Sequence, residues 1–400
     1  MNFFFIVVSI ITVVYGYIGW RLIVPSGVGF PVNVLLWALM LVFLALPFIA
    51  TFLRFSGSDG FWTYVFTWVA YLSLGFFSLV FVFLVIRDLA LLITAGAAKA
   101  ATFIRTILGE GAASHDPSNP DRHRFLVHSM NMGILGITGI LSGYGIYEAR
   151  RNPRIVTVTI PLHHLPGDLD GFRIVQITDI HAGTTIKRGF VQSIVNTARS
   201  ISCDVIVFTG DCADGSADSI RDDVAPLAEL SAPCGTYFVT GNHEYYSGVE
   251  SWIEEMERLG YRVLLNEHSI IQRGTSSILL AGVTDYNGGQ FLASHASSPE
   301  TARDGAPSCD VSILLAHQPR SIFKASHAGY DLQISGHTHG GQYVPWNFLV
   351  SLQQPYISGL HLHESTWIYV SRGTGYWGPP LRGGVPSEIT VITLARAQEV

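Results

Sequence analysis

The sequence predicts an α/β domain with two packed sheets, preceded by an all-α transmembrane region. Three observations predict it. Long charge-free apolar runs are confined to the first 150 residues. From about residue 155, short apolar strand patterns first alternate with helices and then follow one another directly. Acidic and histidine-rich motifs stand where several of those strands run out. Composition agrees, since 48% of the 400 residues are hydrophobic and only 14% charged, more apolar than an average soluble enzyme.

The apolar excess is uneven. Residues 1–20, 22–53, 60–86 and 125–147 carry no charged side chain. A bilayer core of roughly 30 Å needs about 20 apolar helical residues, so these runs predict four transmembrane helices. A buried core helix could explain one such run, but four in succession fit a membrane region. Arg21, Arg54, Arg87 and Arg150 stand at the ends as interfacial anchors, and Trp20, Trp62 and Tyr147 fit aromatic belts. Pro25, Pro31 and Pro47 make the second run the least regular, with its helix expected after Pro31. Residues 88–104, apolar but carrying Lys99, fit a re-entrant or interfacial helix.

A polar Gly/Ser/Pro/Asp-rich linker is expected over 109–124, ending in Asp121-Arg122-His123-Arg124-Phe125-Leu126. That ending resembles a degenerate twin-arginine export signal; an ordinary basic anchor is the alternative. The domain plan is thus a membrane region over 1–150 and a soluble domain over 155–396. Four spans put six Lys/Arg residues on one side (Arg21, Arg87, Lys99, Arg105, Arg122, Arg124) and four on the other (Arg54, Arg150, Arg151, Arg154). The first side reads as cytoplasmic, which leaves the C-terminal domain outside, in a bacterial cytoplasmic membrane.

In the second half, strands are expected at 154–160, 173–177, 204–208, 237–239, 278–283, 311–315, 332–334, 367–370 and 389–394, with helices at 189–200 and 249–259. The second helix places Trp252, Met256 and Leu259 on one face. The net charge of −6 and the lack of any Lys/Arg run argue against a nucleic-acid partner. Cys203, Cys212, Cys234 and Cys309 have no CxxC spacing, which leaves neither a disulfide framework nor a zinc knuckle; Cys212 reads as a small filler.

Five motifs carry the chemistry: Asp179-Ile180-His181, Gly210-Asp211 with Asp214, Gly241-Asn242-His243-Glu244, His317, and Gly336-His337-Thr338-His339. Loops leaving the carboxyl ends of neighbouring strands can converge although distant in sequence. Asp179 and His181 are two apart, and in an extended segment such residues point to one side. His337 and His339 share that spacing and could grip one ion or two adjacent ones. Gly336 and Gly340 permit tight turns beside them. Asp211 has two carboxylate oxygens and can bridge two cations, with Asp214 orienting a neighbour. Asn242 adds a neutral oxygen. Imidazole with carboxylate suits Zn, Fe or Mn, so the expected cofactors are two divalent metal ions. Such a pair, about 3.5–4 Å apart, can clamp a phosphoryl group and activate water. His243, beside Asn242, could protonate the leaving oxygen.

Together these blocks resemble the calcineurin-like metallophosphoesterase superfamily, whose pattern is DxH, GDxxD, GNHE or GNHD, a lone His and GHxH, over roughly residues 172–395. The resemblance implies a four-layer α/β/β/α sandwich. It implies that Asp179, His181, Asp211 and His339 bind a first metal, and that Asp211, Asn242, His317 and His337 bind a second. His243 would be the catalytic histidine and Asp214 its orienting partner. The stretch from Leu165-Pro166 through Gly171-Phe172-Arg173 to His181, and Gly340-Gly341-Gln342, resemble a bacterial membrane-linked subgroup acting on lipid-linked phosphodiesters and pyrophosphates, such as UDP-2,3-diacylglucosamine. That subgroup has a single anchor where this chain has four expected spans.

The expected activity is hydrolysis of a phosphodiester or pyrophosphate, with a lipid-linked substrate as one option. A phosphomonoesterase or protein phosphatase is the alternative within enzymes. A membrane sensor with a structural metal site is the alternative outside them. Residues 342–362, carrying Tyr343, Trp346, Phe348, Leu349 and Tyr356 and no charge, are expected as a loop that either dips into a membrane interface or packs over the site. Arg320 and Arg372 are candidate phosphate ligands.

Overall fold

The computed structural model describes residues 2–55, 60–108 and 120–397. The chain divides into two compact units, Met1–Tyr144 and Gly145–Val400.

The first unit holds α1 (Asn2–Leu22), α2 (Phe30–Phe55), α3 (Phe61–Ile107) and the start of α4 (Pro120–Arg150). All four helices are long and apolar enough to cross a membrane. Helix α2 begins at Phe30, ahead of the expected start, because Pro31 falls in the first turn, where its missing N–H costs nothing. Pro47 lies inside the helix. Residues 88–104 are neither re-entrant nor separate. They continue α3, 47 residues long, since Arg87-Asp88 interrupts the apolar run without supplying a helix breaker. Arg87 is not a free anchor either; it is buried and ion-paired with Asp88 at 2.7 Å. The linker expected over 109–124 lies outside the described residues up to 119, and from Pro120 the chain is helical.

The second unit contains β1 (Arg154–Leu162), β2 (Arg173–Ile177), α5 (Arg188–Arg199), β3 (Val205–Phe208), α6 (Ala217–Val224), β4 (Thr236–Phe238), α7 (Asn242–Ser247), α8 (Val249–Arg258), β5 (Arg262–Val263), β6 (Glu267–Arg273), β7 (Ser276–Gly282), α9 (Pro299–Arg303), β8 (Val311–Leu315), α10 (Ile322–His327), β9 (Leu332–Ser335), α11 (Asn347–Val350), β10 (Gly359–His363), β11 (Thr366–Val370) and β12 (Glu388–Arg396). They build two six-stranded sheets, ordered β1-β12-β2-β3-β4-β5 and β10-β11-β9-β8-β7-β6. In the first, β2, β3, β4 and β5 run parallel. In the second, β7, β8, β9 and β11 do.

Three apolar layers make this an α/β/β/α sandwich. Ile174, Val207 and Val239 meet Leu280, Ile313 and Ile334 between the sheets. Ile177, Phe208 and Phe238 face Ile194, Ile220, Trp252 and Met256 of the outer helices. Leu279, Leu314 and Ile368 face Ala302, Ile322 and Ala325 on the far side. The parallel strands are apolar at nearly every position because both of their faces are covered.

Candidate metal centre

The parallel strands deliver the motifs to one edge. Strand β2 ends two residues before Asp179, β3 three before Asp211, β4 four before Asn242, β8 two before His317 and β9 two before His337. Pairing between β2 and β3 continues into the loops, with Asp179 N–H donating to the Gly210 carbonyl at 3.0 Å and His181 N–H to that of Asp211 at 3.2 Å. The His337 N–H donates to the Asp179 carboxylate at 3.0 Å, tying the last motif to the first.

The backbone reaches this arrangement by strain. Eight described non-glycine residues have positive φ, and five of them are expected ligands: Asp179 (55°), His181 (55°), Asp211 (55°), His337 (72°) and His339 (51°). Left-handed geometry costs roughly 1–2 kcal/mol per L-residue and persists where surrounding contacts over-determine it. Asp179 and His181 therefore do not converge through extended backbone, as their spacing suggests, but through successive left-handed turns. Gly210 must be glycine, since its φ is +86° and a Cβ would stand 2.6 Å from the Gly241 nitrogen and 2.7 Å from His317 Nδ1.

Two ligand groups result. Asp179, His181 and His339 bring one donor atom each within 4.8 Å of one another, and so do Asp211, His317 and His337; a third group joins His181, Asp211 and His243. Asp211 Oδ2 lies 3.1 Å from His317 Nε2 and 3.7 Å from His181 Nε2, so this carboxylate reaches both main groups. Asn242 Oδ1 stands 3.3 Å from His317 Nε2. All seven expected ligands meet here, and the paired histidines separate, His337 toward His317 and His339 toward His181. Cys212 is buried and free, and outside these groups.

The donor set fits cations. His317 Nδ1 donates to the Thr209 carbonyl at 2.7 Å, which in the neutral ring leaves a bare Nε2 facing the oxygens of Asp211 and Asn242. Three acceptors pointing at one another require a positive charge between them. Protonating His317 is the protein's own means of supplying it: burial opposes this, but Asp211 pushes the pKa up to about 10. His181 repeats the pattern. Its Nδ1 bonds Asp214 at 3.0 Å while Nε2 lies 2.9 Å from His339 Nε2. Burial, reinforced by the neighbouring His317 charge, drives His337 down to about 3, and burial with the nearby His181 and Arg382 charges holds His339 far below its ordinary value. Both stay neutral.

His243 stands beside the ligands, half-buried, its N–H on Asp211 Oδ1 at 2.9 Å. Asp214 Oδ1 is 2.5 Å from His243 Nδ1 and also accepts from His181, so one half-buried carboxylate orients both rings. His243 meets Tyr246 and Trp377 edge-on at 5.3 and 5.9 Å. Both of those rings are exposed.

Two further residues, Glu244 within a motif and Arg382 outside all of them, have no role assigned by the sequence. Glu244 accepts from the backbone N–H groups of Asp211, Cys212 and Gly241 at 3.0, 2.8 and 2.7 Å, clamping one motif loop to the next. Without it, three buried donors would be left bare, at about 1–3 kcal/mol each. Arg382 is fully buried, donates to the His339 and Arg372 carbonyls at 3.1 and 2.7 Å, and lies 3.0 Å from His339 Nδ1. The arginines expected to hold phosphate are engaged elsewhere. Arg320 donates to the Gln353 carbonyl at 2.5 Å, and Arg372 pairs with Glu388 at 3.3 Å.

Fold and site together define a metal-dependent phosphoesterase class. The profile described as Calcineurin-like phosphoesterase matches residues 172–341. The chain is 35% identical over 345 residues to a Bos taurus "Transmembrane protein with metallophosphoesterase domain", covering 84% of this chain and 75% of that one. It is 38% identical to a Danio rerio protein of the same name, covering 65% of this chain and 62% of the relative. It is also 38% identical to an "Uncharacterized metallophosphoesterase" of Helicobacter pylori, covering 65% and 70%. The chain belongs to the calcineurin-like metallophosphoesterase family, and it joins that domain to apolar membrane-crossing helices.

Proposed function

We propose that this protein hydrolyses a phosphodiester or pyrophosphate at a dinuclear metal centre. Asp179, His181, Asp211 and His339 would hold one divalent ion, and Asp211, Asn242, His317 and His337 the other. The ions, as Mn, Fe or Zn, would supply charge neutralisation and water activation. The observation that carries this reading is that Asp211 reaches both ligand groups while His243 stands just outside them, oriented by Asp214. His243 protonates the leaving oxygen; Asp214 fixes its ring and tautomer.

Two features favour an ester with a second substituent. Exposed Tyr246 and Trp377 wall the proton donor and offer apolar contact to a leaving group. The charge of Arg372 is offset by Glu388 at 3.3 Å, which leaves less of the added positive charge a dianionic monoester favours. Metal-loaded protein is expected to hydrolyse bis-p-nitrophenyl phosphate faster than p-nitrophenyl phosphate with Mn²⁺; preference for the monoester would overturn the diester reading.

A lipid-linked substrate is the second part of the proposal. The segment after Gln342 is not one loop, since it includes α11 and β10. It exposes Val344, Phe348, Leu349 and Leu352, an apolar cluster suited to an interface with acyl chains. Phe348→Ser with Leu349→Ser is expected to lower turnover of a vesicle-borne nucleoside-diphosphate lipid at least severalfold and spare the soluble diester. Equal effects on both would remove the lipid argument. The Lys/Arg distribution favours a catalytic domain on the extracytoplasmic side of a bacterial cytoplasmic membrane.

A further inference from the structure

The membrane unit contains charges that the hydrolytic site does not use. Asp88 of α3 is the centre. Its carboxylate takes Arg21 Nε at 2.6 Å, Arg87 Nη2 at 2.7 Å and the Tyr17 hydroxyl at 2.5 Å. Arg87 also donates to the Asn131 side-chain oxygen, and Asn131 Nδ2 donates to the Arg21 carbonyl at 3.0 Å. Arg87 and Asn131 are buried at 7% and 5% exposure. Helices α1, α3 and α4 are thus joined at one level, near the C-terminal end of α1 and the N-terminal end of α4. The 26 residues of α3 before Arg87 span about 39 Å, enough to cross the hydrocarbon core. The cluster therefore sits at a membrane boundary, on the side richer in Lys and Arg.

A cavity of about 540 Å³ opens on this cluster, lined by Arg21, Arg87, Asp88 and Arg124 with Pro25 and Leu91 among its apolar neighbours. Three guanidinium groups face one carboxylate, an excess of two positive charges. Arg124 is exposed and has no ion-pair partner among the described residues. A second cavity of about 670 Å³ shares Arg21, Asp88 and Leu91 with the first and continues along Val13, Phe81, Val85 and Leu92. Val13, Tyr17 and Arg21 lie four apart on one face of α1, and Phe81, Val85 and Asp88 follow one face of α3. The two faces form a groove that is cationic at the boundary and apolar toward the bilayer interior.

We propose that this groove binds an anionic glycerophospholipid, with the phosphate held by Arg21 and Arg124 and one acyl chain along Val13, Phe81 and Val85. Guanidinium groups match phosphate oxygens bidentately, and basic pockets between membrane helices suit anionic head groups. The charge excess selects an anion, and the adjoining apolar cavity selects one that carries a chain. The inference is independent of which ester the metal centre cleaves.

The test uses the full-length protein in detergent, delipidated and offered equal amounts of phosphatidylglycerol and phosphatidylcholine, with retained lipid counted by native mass spectrometry. Phosphatidylglycerol is expected to be retained at least fivefold over phosphatidylcholine, and Arg124→Gln to lower that ratio to near one. Arg124 is exposed and has no ion pair among the described residues, so its loss leaves the described helix contacts intact. Arg105→Gln, which removes a charge from the same side outside the cavity, is expected to keep the preference. Equal retention of the two lipids, an unchanged ratio in Arg124→Gln, or the same loss in Arg105→Gln overturns the proposal. Displacement of bound phosphatidylglycerol by millimolar inorganic phosphate would assign the site to free phosphate and overturn it equally.

Discussion

Asp211→Asn is expected to lower kcat/KM for a diester by roughly three orders of magnitude or more, about 4 kcal/mol of barrier. The protein is expected to stay folded. The exchange removes charge and keeps shape, so the backbone N–H of residue 211 still reaches Glu244 and the His243 N–H still finds a side-chain oxygen. What is lost is the anion between His181 and His317. An amide oxygen faces one way and carries no charge, so it is a poor bridge between two cations. Bound metal should fall from two ions per chain to one or none. Elemental analysis, far-UV circular dichroism and steady-state kinetics on the same preparation test this. Activity within tenfold of wild type, with two ions retained, would refute the bridging role.

The residues that converge here were legible because each motif follows a strand, and parallel strands of one sheet must end on one edge. Apolar runs such as Val205–Phe208 and Val311–Leu315 mark those strands directly, being buried on both faces. Less was legible where burial is uneven or the segment short. Strand β6, Glu267–Arg273, lies at the sheet edge with only Ile270 and Ile271 apolar, and β5 is two residues long. Helix α7 begins inside a motif, at Asn242, where the chemistry of the residues obscures their conformation.

Long-range partners were the hardest to read. Glu244 gains its role from donors 33 and 32 residues away, and Arg382 from a histidine 43 residues away. Nothing in local sequence marks either contact. Proximity to a motif instead favoured Arg320 and Arg372, both of which are bound to protein groups. The left-handed backbone at five expected ligands was equally hidden, because aspartate and histidine do not announce it as glycine does. In the membrane half, the absence of charge fixed the spans well, but the Arg87-Asp88 pair reads as an end to the helix only when charge is assumed to meet water. Here the two charges meet each other and α3 runs on.

His243→Ala is expected to act in proportion to how much the leaving group needs a proton. With an alkyl or sugar leaving group, which departs poorly as an anion, turnover should fall about 10²–10⁴-fold, the range of general acid catalysis. With p-nitrophenolate, already a stable anion, the fall should be tenfold or less. A uniform loss across leaving groups would mean that His243 holds structure or substrate instead of delivering a proton. The pH profile gives an independent reading. Burial pulls the His243 pKa down, but Asp211 and then Asp214 push it up harder, to about 9. The raised value means the acid form is present at neutral pH and is lost as pH rises through the folded-state pKa. Cations sharing the charge of Asp211 would weaken one of those two contributions, so about 9 is the upper bound for the alkaline limb of the metal-loaded enzyme. Asp214→Asn removes the other contribution and should move that limb to lower pH for poor leaving groups, leaving the p-nitrophenyl ester profile nearly unchanged. A limb that stays in place would separate Asp214 from the proton donor, although the two side chains lie 2.5 Å apart.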